Sequence, residues 1–171
     1  MPADRQITLR SARTGDVPAI RALVEPLAQE RVLLQKEAVA FYEAIQEFVV
    51  AEDADGSLAG FGALHVMWQD IAEVRTLAVA RDHRGAGVGH LILEELLRRA
   101  RAVGVERVFC LTFEVEFFQR QGFRVMADQR PIDPDVFAEL LRSHDEGVAE
   151  FLDLARVKPN TLGNTRMILT L

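Results

Sequence analysis

With 171 residues, 49% of them hydrophobic and 27% charged, the chain is long enough for one folded globular domain and is not typical of disordered proteins. Its net charge of −6 argues against a nucleic-acid-binding surface, and its single cysteine, Cys110, excludes an intrachain disulfide and a cysteine-based zinc site. Apolar runs stay well below the roughly 20 residues of a membrane-spanning helix, and the N-terminus lacks a signal-peptide core, so we expect a cytoplasmic protein.

The first third of the chain predicts one strand and two helices. Residues 7–13 (ITLRSAR) are typical of a strand. Asp16 is a candidate cap for the helix that follows, with Pro18 in the first turn, where a missing N–H costs little. A second helical segment covers residues 36–46. The apolar positions that we expect to face the core are Val17, Ile20, Leu23, Val24 and Leu27 in the first helix and Val39, Tyr42 and Ile45 in the second.

The middle of the chain predicts a strand pair, a further strand and a long helix. Residues 47–53 (EFVVAED) and 58–68 (LAGFGALHVMW) are typical of two strands, and the Asp55-Gly56 turn signal separates them. The elements that follow are a strand over residues 71–80 (IAEVRTLAVA), a glycine-rich loop, a helix that continues to about Val103, and Gly104 as its stop residue.

The last third of the chain predicts an α/β unit with an insertion. The expected elements are a buried strand over residues 107–113 (RVFCLTF), a short helix over 115–121 (VEFFQRQ) closed by Gly122, an inserted loop and helix at about 127–147, and a final strand over 165–171. The pattern of residues 149–157 fits a strand or a helix equally well. We find no internal linker, so residues 1–171 are expected to form a single domain.

Three alternate glycines, Gly85, Gly87 and Gly89, stand where the long helix must begin. The first turn of a helix presents unpaired N–H groups and the positive end of the helix dipole, and a phosphate satisfies both. Glycine keeps the approach open and permits the φ > 0 angles that aim successive amides at one anion. Arg84 adds a positive charge. We therefore predict a pyrophosphate site, with a ligand-free turn as the alternative, held by a helix whose buried face is Ile92, Leu93, Leu96, Leu97, Ala100 and Val103.

The spacing of these glycines excludes two common nucleotide-binding loops. A P-loop requires GxxxxGK[ST], and the sequence contains no Lys-Ser or Lys-Thr pair. The dinucleotide fingerprint requires GxGxxG early in a βαβ unit, whereas here His90 follows Gly89 directly and three predicted strands come first. The pyrophosphate therefore belongs to another kind of ligand.

The segment from Arg84 to Gly89 (RGAGVG) is similar to the R/Q-x-x-G-x-G/A signature of the Gcn5-related N-acetyltransferases. A strand ending in LAV precedes it, a helix follows, and FFQRQGF resembles the family's F-x-x-x-G-F. AEVRTLAVARDHRGAGVG and LTFEVEFFQRQGF look most like the acetyltransferase domain of N-acetylglutamate synthase in its short form, without a kinase domain. LLQKEAVAFYEAIQEFVV looks like the LLPRS…EFxV stretch of that group, and DPDVFAELL sits where the group carries an inserted helix.

The resemblance implies an α/β fold with a mixed, mostly antiparallel sheet of about six to seven strands flanked by helices. It also implies acetyl-CoA as co-substrate and no metal. The family binds the CoA pyrophosphate at the glycine loop, and its oxyanion and pantetheine contacts come from the end of the preceding strand. The cofactor-binding residues implied here are Leu77, Ala78, Val79, Arg84, Gly85, Ala86, Gly87, Val88, Gly89 and Phe118.

Acetyl transfer to an amine also needs a base, because an amine with a pKa near 10 is mostly protonated at neutral pH. Glu73 occupies the strand position where a branch of the family carries its general-base glutamate. The alternative is that Glu73 pairs with Arg75 on the same strand face. His65 is a second basic candidate, more typical of a structural histidine, and Cys110 is predicted to be a core residue.

The leaving group is where the sequence departs from the family. Many relatives place a tyrosine in the short helix before G-F as the acid that protonates the thiolate. That helix carries Phe117 and Phe118 here, and the sole tyrosine, Tyr42, lies far from it in sequence. A coenzyme A thiolate resembles a cysteine thiolate, with a pKa of about 8.5, and leaves without help. We therefore predict no dedicated side-chain acid.

Three cations are candidates for binding an acceptor that carries a carboxylate. Lys36 falls near the basic residue of the synthase LLPRS stretch, and Arg166 lies near a basic residue that this group uses against the substrate's carboxylate. Arg75 is the third candidate. Arginine suits this role because its guanidinium offers a bidentate fork, although each of the three is also consistent with a solvated surface cation.

The leading hypothesis is an acetyl-CoA-dependent N-acetyltransferase that acts by direct attack in a ternary complex on a small amino acid, glutamate or glutamine. One alternative keeps the chemistry but changes the acceptor to a protein N-terminus, a polyamine or a xenobiotic amine. Another is a CoA-binding regulatory module without catalysis, which only the missing tyrosine supports. We expect neither a nucleic-acid nor a membrane partner, and family members are often dimers, which leaves a homodimer open.

Overall fold

The structure is a computed structural model that describes residues 6–30, 36–126, 132–152 and 163–171. A seven-stranded β-sheet forms the centre of the fold in this part of the chain. The seven strands are β1 (Thr8–Ser11), β2 (Phe48–Glu52), β3 (Leu58–Trp68), β4 (Ile71–Val79), β5 (Arg107–Thr112), β6 (Arg124–Val125) and β7 (Thr165–Thr170).

Six α-helices and three 3₁₀ turns connect the strands in the described residues. The helices are α1 (Val17–Gln29), α2 (Ala38–Glu43), α3 (Val88–Val103), α4 (Val115–Arg120), α5 (Pro134–Leu140) and α6 (Glu146–Phe151). The 3₁₀ turns are Thr14–Asp16, Ile45–Glu47 and Arg81–His83. These bounds confirm the strands and helices predicted from the sequence up to residue 126. In the part of the chain that the structure describes, no helix is long and apolar enough to cross a membrane.

The strands follow the order β1-β2-β3-β4-β5-β7-β6 in one sheet. Antiparallel pairs join β1 to β2, β2 to β3, β5 to β7 and β6 to β7. The β4–β5 pair is parallel, with Ile71–Glu73 opposite Arg107–Phe109. This sheet confirms the predicted mixed, mostly antiparallel α/β fold.

The chain divides into two compact units, and β3 and β4 each contribute to both. The first unit comprises the residues up to His65 together with Val74–Ala102. The second comprises Val66–Glu73 and Val103–Leu171. The single domain over residues 1–171 stays a prediction. The core of the first unit contains Val17, Ile20, Val24, Phe41, Phe48, Val50, Phe61, Ala63 and Ala78.

Asp16 stands at the N-cap position of α1, as predicted, but its side chain makes no capping bond to the helix. The carboxylate instead accepts hydrogen bonds from the Arg10 guanidinium, at 2.8 and 2.9 Å, and from the backbone N–H of Arg13 at 2.7 Å. Arg10 also donates to Glu52 on the neighbouring strand, at 2.7 Å. The Arg10–Asp16 bonds link β1 to the turn before α1. The Arg10 guanidinium also lowers the pKa of the Asp16 carboxyl.

The predicted apolar face of α2 is partly wrong. Val39 is 58% exposed and Tyr42 is 46% exposed, whereas Phe41 is buried. Phe41 packs on Phe48 with ring centroids 6.0 Å apart, and the inner face therefore continues through Ala44 and Ile45, three and four residues on. Because α2 is short, burying the face with Phe41 leaves the face with Val39 and Tyr42 exposed.

Val103, the last residue of α3, is exposed instead of buried as predicted, because the helix ends at Gly104 (φ 98°). The other predicted positions of that face, from Ile92 to Ala100, are buried. Gly104 confirms the predicted stop residue, since a left-handed φ is inexpensive only for glycine.

The core of the second unit lies between the sheet and α5 and α6. Phe109 packs edge-to-face on Phe151, with ring centroids 5.6 Å apart. Asp133 caps α5 by accepting from the N–H groups of Asp135 and Val136. The helix predicted within the insertion at about 127–147 is thus present as α5, while residues 127–131 lie outside the described residues. Of the ambiguous segment 149–157, the first three residues are helical and 153–157 lie outside the described residues.

Candidate functional site

The predicted pyrophosphate loop has the backbone that its glycines suggest. Gly85 and Gly87 have φ angles of 77° and 80°, in the left-handed region that other residues rarely adopt. No described atom lies within 4 Å of a Cβ placed at either position, so the approach to the loop is open. Gly89 lies in the first turn of α3, whose leading N–H groups have no intrahelical partner. The loop is therefore unobstructed at both glycines, as an anion site would require.

Two glycines on β3 hold α3 and β4 close together. A Cβ at Gly60 would stand 2.8 Å from the Ala78 carbonyl oxygen and 2.9 Å from Cδ1 of Ile92. A Cβ at Gly62 would stand 3.0 Å from side-chain atoms of Ile92 and of Leu96. The sequence analysis missed this role. The signal was two glycines inside a predicted strand, which commonly mark a close backbone approach.

The end of β4 joins the loop within the first unit. Arg84 directs its Nε–H toward the Val79 carbonyl oxygen, 3.5 Å away, and the Ala80 N–H donates to the Ala59 carbonyl at 2.8 Å. The predicted cofactor residues of this unit, Leu77–Val79 and Arg84–Gly89, thus belong to one continuous strand–loop–helix segment. Phe118 belongs to the second unit and is buried between Phe117 and Phe123, with ring centroids 5.1 Å from each.

Thr76 lies within β4 and has a φ of 55°. A β-branched residue in the left-handed region carries a strain of about 1–3 kcal/mol, and the surrounding structure must hold it in that conformation. A left-handed residue in a strand redirects the backbone that follows it. The strain therefore falls immediately before Leu77, where the resemblance implies the oxyanion and pantetheine contacts.

The second unit brings Glu73 and Arg166 to the same face of the sheet. Glu73 lies beside Phe109 in the parallel pair, and Phe109 lies opposite Ile168. Arg166 lies opposite Leu111, two residues further along each strand, so alternation returns it to the Glu73 face. Strand spacings place the two Cα atoms about 12 Å apart. A small amino acid and an arginine side chain together can bridge that distance.

Glu73 is only 6% exposed, which is unusual for a carboxylate. Burial, followed by the nearby charge of Glu73, raises the pKa of the Cys110 thiol well above its usual range. Cys110 is 1% exposed, which confirms it as a core residue and makes its thiol inert at neutral pH.

The remaining candidates lie in the first unit. Lys36 precedes α2, and Arg75 follows Glu73 by two residues on β4. The Nδ1 atom of His65 lies 2.7 Å from Oε1 of Glu47, an arrangement typical of a structural histidine. The catalytic and binding roles of Lys36, Arg75, Arg166 and Glu73 stay predictions.

A cleft of about 390 Å³ opens in the second unit at the beginning of β4 and β5. Ile71, Leu140 and Phe151 form part of its apolar wall. The cation in its lining, Arg107, already donates to Asp70 at 3.0 Å. The cleft is therefore a poor place for an acceptor carboxylate.

Comparisons with known proteins agree with this geometry. Residues 20–123 match the model of the acetyltransferase (GNAT) family. The chain is 52% identical over 172 residues to the amino-acid acetyltransferase of Mycobacterium tuberculosis, covering 99% of this chain and 98% of that protein. The amino-acid acetyltransferase of Neisseria meningitidis serogroup A is 32% identical over 124 residues, which are 71% of this chain and 28% of that longer protein.

Two solved structures carry the same fold. A Mycobacterium tuberculosis protein in complex with CoA and NLQ superposes with a TM-score of 0.89 at 53% identity, covering 96% of this chain and 99% of that one. N-acetylglutamate synthase from Neisseria gonorrhoeae, complexed with coenzyme A and N-acetyl-glutamate, gives 0.77 at 25% identity, covering 98% of this chain and 36% of that one. The chain therefore belongs to the GNAT family of acetyltransferases, which use acetyl-CoA.

Proposed function

We propose that this acetyltransferase transfers the acetyl group of acetyl-CoA to the α-amine of a small amino acid, with glutamate or glutamine as the acceptor. The observation that carries the proposal is the buried carboxylate of Glu73 on the same sheet face as Arg166. An acceptor with an amine to deprotonate and a carboxylate to bind matches such a pair. The names of the relatives support the same class of acceptor.

The cofactor's pyrophosphate binds the amides of the loop from Gly85 to Gly89, with Arg84 adding charge. The open, left-handed glycines support this placement. The backbone of Leu77–Val79 holds the pantetheine arm and the thioester oxygen. Strain at Thr76 supports this second contact, because strained backbone is commonly held at functional sites.

Glu73 acts as the general base, directly or through one water. As the amine nitrogen attacks the thioester carbonyl carbon, the C–N bond forms and an N–H proton passes to the carboxylate. Collapse of the tetrahedral intermediate breaks the C–S bond and releases coenzyme A as a thiolate, which takes its proton from solvent. Phe117 and Phe118 occupy α4 where relatives hold a tyrosine, so the thiolate leaves without a side-chain acid.

Arg166 binds the acceptor's carboxylate, and Lys36 and Arg75 supply further positive charge for a second carboxyl or amide group. Several cations can bind a second carboxylate or donate to an amide oxygen, which favours glutamate and glutamine over amino acids with apolar side chains. We also propose that the protein is cytoplasmic, works as a homodimer and belongs to arginine biosynthesis. The likeness to an N-acetylglutamate synthase supports the last of these.

Incubation of the purified protein with acetyl-CoA and each of the twenty amino acids, followed by free-thiol release, tests the proposal. Release with glutamate or glutamine alone supports it. Release only with a peptide N-terminus, a polyamine or another amine refutes the amino-acid acceptor. If no amine releases thiol while acetyl-CoA still raises the melting temperature, the chain is a CoA-binding module without catalysis. Cys110 does not interfere, because the buried thiol is inert.

A further inference from the structure

His83 is the single buried residue among the eight that lead from β4 into α3. Positions 81–87 are all exposed except His83, and burial resumes at Val88, the first residue of α3. The first fixed point before this segment is Ala80, whose N–H is bonded to β3. Between Ala80 and Val88, the His83 imidazole is therefore the buried side chain that anchors the glycine loop.

That imidazole reaches the turn between β2 and β3. Nε2 of His83 lies 2.7 Å from Oδ2 of Asp53, and the two side chains are only 9% and 16% exposed. The other carboxylate oxygen, Oδ1, accepts from the Ala54 N–H at 2.7 Å. The backbone of Asp53 is also bonded to Ser57 and Gly56, at 2.9 Å each. Asp53 is thus a rigid acceptor aimed at His83.

The surroundings of the other ring nitrogen, Nδ1, indicate which nitrogen of His83 carries the proton. Nδ1 of His83 is buried, and no described group lies within hydrogen-bond reach of it. An unpaired lone pair costs less there than an unpaired N–H, and Nε2 faces a carboxylate oxygen. The proton therefore belongs on Nε2, which donates it to Asp53. His83 in turn holds the loop through its backbone, since its N–H donates to Ala80 and its carbonyl accepts from Ala86, at 2.9 and 3.4 Å.

We propose that the His83–Asp53 pair is a positioning element that holds the pyrophosphate loop in its CoA-binding shape before CoA arrives. The inference rests on the proposed placement of the pyrophosphate at Gly85–Gly89. Without the pair, residues 81–87 lose their buried side-chain anchor, and CoA must order the loop as it binds. Loss of the pair is therefore expected to weaken the binding of CoA and acetyl-CoA and to leave the KM of the acceptor unchanged.

Four variants of the full chain test this role, with CoA affinity measured by titration calorimetry and steady-state kinetics for both substrates. His83→Leu and Asp53→Asn remove the donor or the charge of its acceptor. Each is expected to raise the Kd for CoA and the KM for acetyl-CoA about tenfold, the equivalent of one charge-assisted hydrogen bond. His83→Gln keeps an N–H near the Nε2 position and is expected to restore most of the affinity. Asp55→Asn, in the same turn, is the matched control, because the Asp55 side chain accepts from the Ser57 N–H; it is expected to match the wild type.

A structural role alone would lower the melting temperature without separating the two substrates. The proposal is overturned if His83→Leu binds CoA within about twofold of the wild type, or if the KM of the acceptor rises as much as that of acetyl-CoA. A His83→Gln variant as weak as His83→Leu also overturns it. If His83→Leu does not fold, Asp53→Asn and His83→Gln decide. Gly87→Ala separates the two proposals: if it leaves CoA binding intact, the pyrophosphate placement itself is wrong.

Discussion

Gly60 on β3 and Ala78 on β4 approach so closely that a Cβ at position 60 would stand 2.8 Å from the Ala78 carbonyl oxygen. Backbone atoms cannot move aside as a flexible side chain does, and Cδ1 of Ile92 on α3 closes the other side at 2.9 Å. The contact joins β3, β4 and α3, which carry the predicted CoA-binding segment.

Gly60→Ala is therefore expected to destabilise the protein by about 1–3 kcal/mol, the usual cost of overpacking a core. The measurement is urea unfolding followed by circular dichroism. Gly15→Ala is the matched control, because no described atom lies within 4 Å of a Cβ there, and it is expected to change stability little. Equal stability of the two variants would show that the close approach is not real.

Gly87→Ala is expected to weaken CoA binding beyond its effect on stability. At a φ of 80°, alanine costs about 1 kcal/mol of strain, and its methyl group enters the path of the phosphate. Gly104→Ala carries similar strain, at a φ of 98°, at the opposite end of α3. We expect both variants to lose similar stability in thermal melts and only Gly87→Ala to raise the Kd for CoA. Loss of affinity in both would point to strain alone.

Glu73→Gln is expected to lower kcat by about 10²–10⁴, the usual contribution of a general base, with the Kd for CoA unchanged. The deficit should shrink at high pH, where more of the amine is already neutral. Steady-state rates across a pH series provide the measurement. Glu139→Gln, on the exposed surface of α5, is the control. A kcat near the wild-type value for Glu73→Gln would remove Glu73 from the mechanism.

Arg166→Leu is expected to raise the KM of the acceptor about 10–100-fold, as expected for loss of a charge-assisted hydrogen bond to its carboxylate. The KM for acetyl-CoA should stay unchanged. Arg124→Ala, on the neighbouring exposed strand β6, serves as the control. Were the KM for acetyl-CoA to rise instead, Arg166 would belong to the cofactor site.

Asp16→Asn is expected to destabilise the protein at neutral pH, because the carboxylate accepts two hydrogen bonds from Arg10. The pKa of Asp16 is lowered from 3.8 in the folded state. Its stabilisation is therefore complete above that value and is lost as the pH falls through the lower, folded-state pKa. Urea unfolding of both proteins should differ by about 2 kcal/mol at pH 7 and converge in acid. A difference independent of pH would contradict the ion pair.

The elements that sequence analysis predicted well are those with local signals. Alternation in β3 and β4, the 3.6-residue period of α3 and the glycines at 85 and 87 all act within a few residues along the chain. The Arg84–Gly89 signature also predicts a CoA site, because a phosphate can be bound by backbone N–H groups, which need no particular side chain.

The features that escaped sequence analysis depend on contacts between distant segments. The His83–Asp53 bond spans thirty positions, and the Gly60–Ala78 contact depends on how two strands and a helix pack. The φ of Thr76 has no sequence signal, because threonine is typical of ordinary strands. The inner face of α2 was misjudged for the same reason, since Phe41 is selected by Phe48 on a distant strand.

The most direct test of the proposed function is a competition experiment with acetyl-CoA carrying a ¹³C-labelled acetyl group. The purified full chain is incubated with all twenty amino acids, a short peptide and a polyamine together, and the products are identified by mass spectrometry. We expect the label on the α-nitrogen of glutamate or glutamine, and we expect Glu73→Gln to slow its appearance. Label on the peptide or the polyamine, with glutamate and glutamine unmodified, would contradict the proposed function.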